Sequence, residues 1–340
     1  MLPAIDPHAG GTGYFRDRVV LVAGGTGFVG REFVEQLLAA GARVRVTRRR
    51  RPGPWADPAV EYLDGDLGDE SFCRRACRGA DLVVHAAGAV SAAGVTVGAS
   101  PMDAITTNLI LTSRLLQAAW QERAGQFLLF SSSTGYPVAE HPVKEEEFWA
   151  GDTHPSYFGY GWMRRYFERL GEFVHQRSDT KVTIVRPTAT YGRHDDFDPR
   201  TSHVVPALIR RAVARENPFV VWGRADVVRD FLHISDLVRG ALLAVEKLPD
   251  CEPVNIGSGR PITIGEIVTA TLSAAGHAEA QVVYDESKPT TIPYRLADTT
   301  KARARLDFTP AVDLDSGLAD TVAWYRQVFS GPATIGGHDD

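Results

Sequence analysis

The stretch "RVVLVAGGTGFVG", residues 18–30, decides how the rest of the chain is read. Its first half is an apolar, β-branched run of strand length. Its second half spaces glycines as Gly24-x-x-Gly27-x-x-Gly30 where a helical pattern opens. Such a turn brings backbone N–H groups close to a pyrophosphate at a helix N-terminus. Gly24, Gly27, Phe28, Val29 and Gly30 are therefore candidate cofactor contacts. A near-copy, "GGTGYF" at 10–15, follows no strand and has Arg16 where a third glycine would fall. It reads as a coincidence in a flexible terminus.

Outward from that loop, strand-length apolar runs alternate with amphipathic helical segments. "RVRVT" (43–47), "VEYLDGD" (60–66), "DLVVHAAG" (81–88), "QFLLFSSS" (126–133) and "KVTIVRPT" (181–188) read as successive strands. A helix is expected over 27–40 and a long one over 103–123. This alternation predicts parallel βαβ units with helices on both sheet faces, an α/β doubly wound (Rossmann) architecture. After Tyr191 the pattern breaks into a polar loop, a helix and short strands, consistent with a smaller C-terminal α/β substrate-binding part. "EPVNIGSG" (252–259) is expected to rejoin the main sheet, and a last helix spans about 314–329. The division expected is 16–190 plus 230–258 for the cofactor and 191–229 plus 259–330 for the substrate. Residues 1–15 and 331–340 are expected to be flexible ends.

With 340 residues, 44% hydrophobic and 23% charged, the chain matches a globular protein with a sizeable core. A net charge of −5 gives no reason to expect nucleic acid or an anionic membrane as partner. The N-terminus lacks a basic region followed by an apolar run, and no segment offers about 18 uninterrupted apolar residues. Three cysteines are too few for a disulfide framework, which suits a cytoplasmic setting. Cys73 and Cys77 in "CRRAC" have no neighbouring ligand pair and read as ordinary helix residues, so no metal site is expected.

Two further stretches bear on chemistry. The second strand ends in "TRRRRPG" with no carboxylate. Arg48 and Arg49 there would stabilise a 2′-phosphate, which favours NADP, with NAD as the alternative. Asp66, at the end of the third strand, is placed to meet the adenine. In "FGYGWMRRYFERL" (158–170), Tyr160 and Arg164 share a helix face. The competing Tyr157 has Gly161 four residues on and is set aside.

Together these features resemble the extended short-chain dehydrogenase/reductases, the nucleotide-sugar epimerases and dehydratases. "GGTGFVG", "DGDL", "HAAG", Asn108, "SSSTGYP" and the Tyr160 helix fall in that family's order. Tyr160 with Glu168 fits Y-x-x-x-K-x-x-x-E, with Arg164 at the lysine position. "YGRHDDFDPRTSHVVPALIRR" and "VVWGRADVVRDFLHISDL" are similar to the GDP-L-fucose synthase branch, which epimerises a GDP-4-keto-6-deoxy sugar and reduces it with NADPH. The resemblance implies cofactor contacts at Leu67, Ala86, Ala87, Gly88, Asn108, Pro187, Tyr160 and Arg164. It implies that Tyr160 exchanges the proton at the C4 oxygen, that Ser132 hydrogen-bonds that oxygen, and that His203 is an acid in epimerisation. Ser133, Arg211, Trp222, Arg229 and Arg295 are implied substrate contacts. For Ser133 a loop-supporting role, and for Trp222 a core position, are the alternatives. Homodimerisation through residues 103–123 and 158–177 is also implied.

Three positions depart from the pattern. Arg164 keeps a cation beside the phenol, which electrostatically favours a phenolate, but its planar fork differs from an ammonium. A surface pairing with Glu168 is the rival role for it. Thr134 stands where the branch carries a cysteine base, and an alkyl hydroxyl is a poor base. Ala189 replaces an asparagine that contacts substrate. The expectation is an NADP-dependent nucleotide-sugar epimerase/reductase with hydride transfer at C4 and reduced epimerisation. The rivals are a nucleotide-sugar or keto-heptose epimerase with little net redox, and a non-catalytic NADP-binding sensor or scaffold.

Overall fold

The computed structural model describes residues 13–49, 57–89, 101–288 and 292–329. Arg50 and Arg51 of the basic run, and most of both chain ends, lie outside the described residues. β1 (Val19–Ala23) has Val20, Leu21, Val22 and Ala23 fully buried. Val20 and Val22 join one apolar layer while Leu21 and Ala23 join the other, as the two-residue period of a strand requires. Both faces must therefore be covered by helices.

α1 (Phe28–Ala39) buries Phe33, Val34 and Leu37. It ends before Gly41, whose φ of +79° lets the amides of 41 and 42 return to the Leu38 and Leu37 carbonyls. β2 (Arg43–Arg48), β3 (Glu61–Asp64), α2 (Glu70–Cys77), β4 (Leu82–His85), α3 (Pro101–Gln121), β5 (Gln126–Phe130), α4 (Phe158–Arg177) and β6 (Lys181–Pro187) follow. Then come β7 (Ala189–Tyr191), α5 (Val204–Val213), β8 (Phe219–Trp222), β9 (Val228–Arg229), β10 (Phe231–His233) and α6 (Ile234–Lys247). The chain closes with β11 (Val254–Ile256), β12 (Ile262–Thr263), α7 (Ile264–Ala274), β13 (Val282–Asp285), α8 (Thr300–Leu306) and α9 (Leu314–Phe329).

The main sheet has seven strands in the order β11-β6-β5-β4-β1-β2-β3. Every pairing within it is parallel. One layer packs α1 and α6 on the sheet, with Phe33, Leu37, Leu237 and Val238 among its buried residues. The other packs α2, α3 and α4, with Phe72, Leu115 and Phe167. Cys73 and Cys77 lie in that second layer, where burial pushes their thiols up to about 11 and about 12. They are inert core residues at neutral pH. A third cluster gathers Leu208, Ile209, Phe219, Ile267 and Leu318 from α5, β8, α7 and α9.

One expectation fails at the N-terminal end. Tyr14 and Phe15, read as part of a flexible terminus, are anchored. Phe15 is buried, Tyr14 donates to Gln126 Oε1 at 2.9 Å, and the Arg18 guanidinium covers the Tyr14 ring at 3.7 Å. The near-copy of the glycine motif thus delivers two aromatic side chains to the core, and its glycines precede them.

The layers are tied together by a buried ion pair. Arg186 of β6 donates from Nε and Nη2 to the two carboxylate oxygens of Glu168 on α4, at 2.8 and 2.7 Å. Its Nη1 donates to Tyr136 Oη at 3.0 Å and to the Glu145 carbonyl at 2.8 Å. Tyr136 donates onward to Asn255 Oδ1 on β11 at 2.7 Å. Removing one partner of such a pair leaves an uncompensated buried charge, which costs about 3–5 kcal/mol. Glu168→Ala is expected to lose that much stability in urea denaturation; a loss below about 1 kcal/mol would contradict this role.

Candidate active site

The carboxyl edge of the sheet holds the site. Strand order reverses between β1 and β4, and there the loops after the two strands meet. Gly24 has φ +80°, and a Cβ on it would fall 2.6 Å from Ala87 Cα. A Cβ on Gly30 would fall 2.1 Å from the Gly24 carbonyl oxygen. These two glycines are required by packing. Gly27 is different: it caps α1 without a side-chain hydrogen bond, and a Cβ there would make only an ordinary 3.5 Å contact. The first amides of α1, including those of Phe28 and Val29, thus border a cradle that glycine keeps open. Such an arrangement fits a dinucleotide pyrophosphate.

Ala86 lies at the same edge, its amide donating to the Ala23 carbonyl at 2.9 Å. Asn108 of α3 is buried, with its amide occupied by the backbone of Ala89: Oδ1 accepts from the Ala89 amide at 2.9 Å and Nδ2 donates to its carbonyl at 2.8 Å. It holds the Ala86–Ala87–Gly88 loop, and a Cβ on Gly88 would meet its Oδ1 at 2.9 Å.

At the end of β2 the structure adds what the sequence hid. Arg48 registers opposite Asp64 of β3 and forms an ion pair with it, while its guanidinium covers the Tyr62 ring at 4.4 Å. A carboxylate therefore does stand at this corner, supplied by the neighbouring strand. Arg49 is exposed. Asp66 is exposed, its Oδ1 accepting from the Gly68 amide at 2.7 Å, and Leu67 is buried.

The reacting groups gather at the carboxyl end of β5. Arg164 donates from Nη2 to Tyr160 Oη and from Nη1 to the Phe130 carbonyl at 2.8 Å. Its expected rival pairing with Glu168 does not form, because Arg186 holds that carboxylate. Ser132 opens a short 3-10 turn, Ser133–Gly135. Its Oγ accepts from the Thr134 amide at 3.2 Å and from the Thr134 hydroxyl at 3.0 Å. With both acceptor sites so used, the Ser132 hydroxyl proton is directed to another oxygen. A Cβ on Gly161 would meet the Thr134 carbonyl at 2.7 Å, so α4 packs directly on this turn. Ser133 is buried and supports the turn. His85 on β4 is buried, bonds Thr112 through Nε2 at 2.9 Å, and is held neutral, down to about 3, by burial and by the charge of Arg164. β5 is two strands from β1, so this cluster stands about 10 Å from the glycine loop along the same edge.

The remaining residues separate into two groups. Arg229 and Arg295 lie together: burial and the Arg295 charge lower the Arg229 pKa to about 10. Pro187 ends β6, in register with Ile256. The others are described by their local partners. Arg211 donates from Nε to Glu216, between α5 and β8, at 2.6 Å and covers the Phe219 ring at 4.6 Å. Trp222 is 69% exposed, which removes the core reading and leaves its face open beside Lys288. His203 is exposed at the N-cap of α5 and makes no cap bond with its side chain. Arg186, Asp64 and Tyr157 were not anticipated at the site. Of these only Arg186 left a signal, a charge inside the apolar strand "VTIVRP" that demands a buried partner.

Gly27→Ala is expected to keep the melting temperature while weakening NADPH binding at least about tenfold, since the methyl intrudes only on the cradle. Gly30→Ala should instead destabilise the fold. Unchanged NADPH affinity in Gly27→Ala would remove the cradle from the cofactor site.

Comparison with known proteins gives a consistent picture. The sequence profile of the NAD dependent epimerase/dehydratase family matches residues 20–257. The chain is 31% identical over 322 residues to GDP-L-fucose synthase of Escherichia coli K12, covering 91% of this chain and 96% of that protein. It is 32% identical over 321 residues to a dTDP-4-dehydro-6-deoxy-D-allose reductase of Streptomyces, with the same coverage. Among solved structures it is similar to UDP-glucose 4-epimerase of Thermotoga maritima with UDP-glucose, with a TM-score of 0.81, 27% identity, and 91% and 99% of the two chains covered. It is also similar to a dTDP-glucose 4,6-dehydratase of Streptomyces venezuelae with NAD bound, with a TM-score of 0.77, 26% identity, and 91% and 97% covered.

Proposed function

The chain belongs to the NAD dependent epimerase/dehydratase family, and from that premise we propose that it reduces a nucleotide-linked 4-keto-6-deoxy sugar at C4. It is an NAD(P)-dependent nucleotide-sugar enzyme of the extended short-chain dehydrogenase/reductase type. The observation that carries the finer reading is the Thr134 hydroxyl donating to Ser132 Oγ beside the Tyr160–Arg164 pair.

In this reading the reduced nicotinamide supplies a hydride to C4. Ser132 keeps its proton and hydrogen-bonds the ketone oxygen through its hydroxyl, oriented by the two bonds it accepts from Thr134. Tyr160 delivers its phenolic proton to the oxygen as the C4–H bond forms, leaving an alcohol. Arg164 supports the phenolate left behind, and its second N–H group, fixed on the Phe130 carbonyl, keeps the cation from swinging away. Thr134 is engaged as a donor and does not serve as the base for C3 or C5, which lowers the share of epimerisation in this reading. His203 stands at the N-cap of α5, its pKa lowered by burial. The allose reductase relative is by name a reductase. Residues 191–229 and 259–330, which carry Arg229 and Arg295, form the substrate-binding part of this reading, and Trp222 offers a face for the base.

The protein incubated in D₂O with NADPH and a GDP- or dTDP-4-keto-6-deoxy sugar is expected to consume NADPH without placing deuterium at C3 or C5. Deuterium at either carbon would restore the epimerase reading, and no NADPH loss with any such sugar would defeat the reductase. Tyr160→Phe should lower kcat by about 10²–10⁴ while NADPH affinity holds.

NADP is the cofactor this reading favours, because Arg48 and Arg49 flank the end of β2. Asp64 holds the fork of Arg48 and moderates that preference. Asp64→Asn is accordingly expected to raise the NADPH-over-NADH preference, and an unchanged ratio would place the 2′-phosphate elsewhere. Homodimerisation belongs to the same reading: Phe158, Trp162, Tyr166 and Phe173 form an exposed stripe on α4, and Trp120 of α3 meets Phe173 edge-on at 5.9 Å. No helix among the described residues is long and apolar enough to cross a membrane.

A further inference from the structure

We propose that His194 is a positioning residue for the cofactor loop: its ring accepts from Arg31 and so ties the glycine turn to helix α9. The inference rests on the reading of that turn as the dinucleotide cradle, and it adds what holds the turn in place.

Arg31 stands in the first turn of α1 and reaches in two directions. Its Nε donates to the Thr26 carbonyl at 2.9 Å, and its Nη1 meets His194 Nδ1 at 2.9 Å. The peptide that joins Thr26 to Gly27 is planar, so holding its carbonyl also holds the amide on its other side. That amide donates to the Gly24 carbonyl at 3.0 Å and closes the turn. Arg31 thus fixes the peptide at which Gly27 keeps the cradle open.

His194 belongs to the loop after β7, and that loop is gripped by α9. Its φ is +67°, in the left-handed region that few side chains adopt. The preceding Arg193 donates from Nε to Asp320 Oδ2 of α9 at 2.6 Å. The His194 ring itself meets Trp324 edge-on, with the ring centres 4.9 Å apart. Asp320 and Trp324 are one helical turn apart and share a face of α9. The imidazole therefore stands between an aromatic wall on α9 and the guanidinium on α1.

The bond also fixes the state of the ring. A guanidinium only donates, so Nδ1 is bare and the ring proton sits on Nε2. Glu35 Oε1, from the same helix as Arg31, lies 4.0 Å from Nε2. Burial, with the charges of Arg31 and Arg193, lowers the His194 pKa to about 4, so the acceptor is present at neutral pH.

The test compares two substitutions by calorimetric binding of NADPH, with NADH in parallel and melting temperature alongside. His194→Asn and His194→Gly both tolerate the left-handed backbone, and both lose the ring contact with Trp324. Asn places its Oδ1 where Nδ1 stands, whereas Gly removes that acceptor from Arg31. His194→Gly is expected to weaken NADPH binding about tenfold, and His194→Asn less than about threefold. Arg31→Lys cannot reach both acceptors at once and should cost about as much as His194→Gly. Because the two residues act as a unit, the double variant should lose no more than either alone. Nitrogen-15 spectra of the unaltered protein at pH 7 should show a bare Nδ1 and a protonated Nε2 on the His194 ring, assigned by its absence in His194→Asn. Equal NADPH affinity in the Asn and Gly variants, additive losses in the double variant, or a proton on Nδ1 would overturn the inference. Failure of the unaltered protein to bind either dinucleotide would instead remove the cradle reading on which it rests.

Discussion

Arg186 and Glu168 meet where water cannot reach them, and the position of α4 depends on their meeting. Both side chains are almost fully buried, and the fork geometry fixes distance and angle together. A buried pair of this kind adds little net stability compared with a well-packed apolar pair, but it penalises every arrangement in which the two ends fail to meet. Here it pins the second half of α4 against β6. Tyr136, Asn255 and the Glu145 carbonyl extend the constraint to β11 and to the loop after β5. The turn that presents Ser132 therefore stands on the same network as the helix that presents Tyr160.

That constraint explains why an arginine can stand at position 164. A guanidinium next to Glu168 on one helix would ordinarily pair with it one turn away. Because Arg186 already occupies the carboxylate, Arg164 is left to reach the phenol and the end of β5. The charge beside Tyr160 is thus directed by a competition that Arg186 wins. Elsewhere in the fold the same residue type is handled differently. Arg48 is paired with a carboxylate, and Arg295 is seated on an aromatic ring.

Legibility in the sequence followed the range of each interaction. The glycine loop, the alternating strands and the last helix, Leu314–Phe329, were readable because periodicity and turn chemistry are local. The return of Val254–Ile256 to the sheet was readable as an isolated apolar run bounded by turn residues. Asp64 was not, since its approach to Arg48 depends on strand register, which sets partners across a gap of sixteen residues. Tyr157 was set aside by a correct argument about helix spacing, yet its partner lies more than one hundred residues on. Thr134 was recognised as a poor base. Its actual engagement, donating to Ser132, follows from the tight turn and has no signature in spacing. The anchoring of Tyr14 and Phe15 was obscured by the glycines that precede them.

The central claim is that Ser132 and Tyr160 hold one ketone oxygen while hydride arrives at the carbon that bears it. NADPH deuterated at the transferred nicotinamide position, reacted with a nucleotide-linked 4-keto-6-deoxy sugar, tests this most directly by mass spectrometry and NMR of the product. The account predicts one deuterium per product molecule, located at C4 of the sugar in a single configuration. Deuterium absent from the sugar, or found at another carbon, would contradict it.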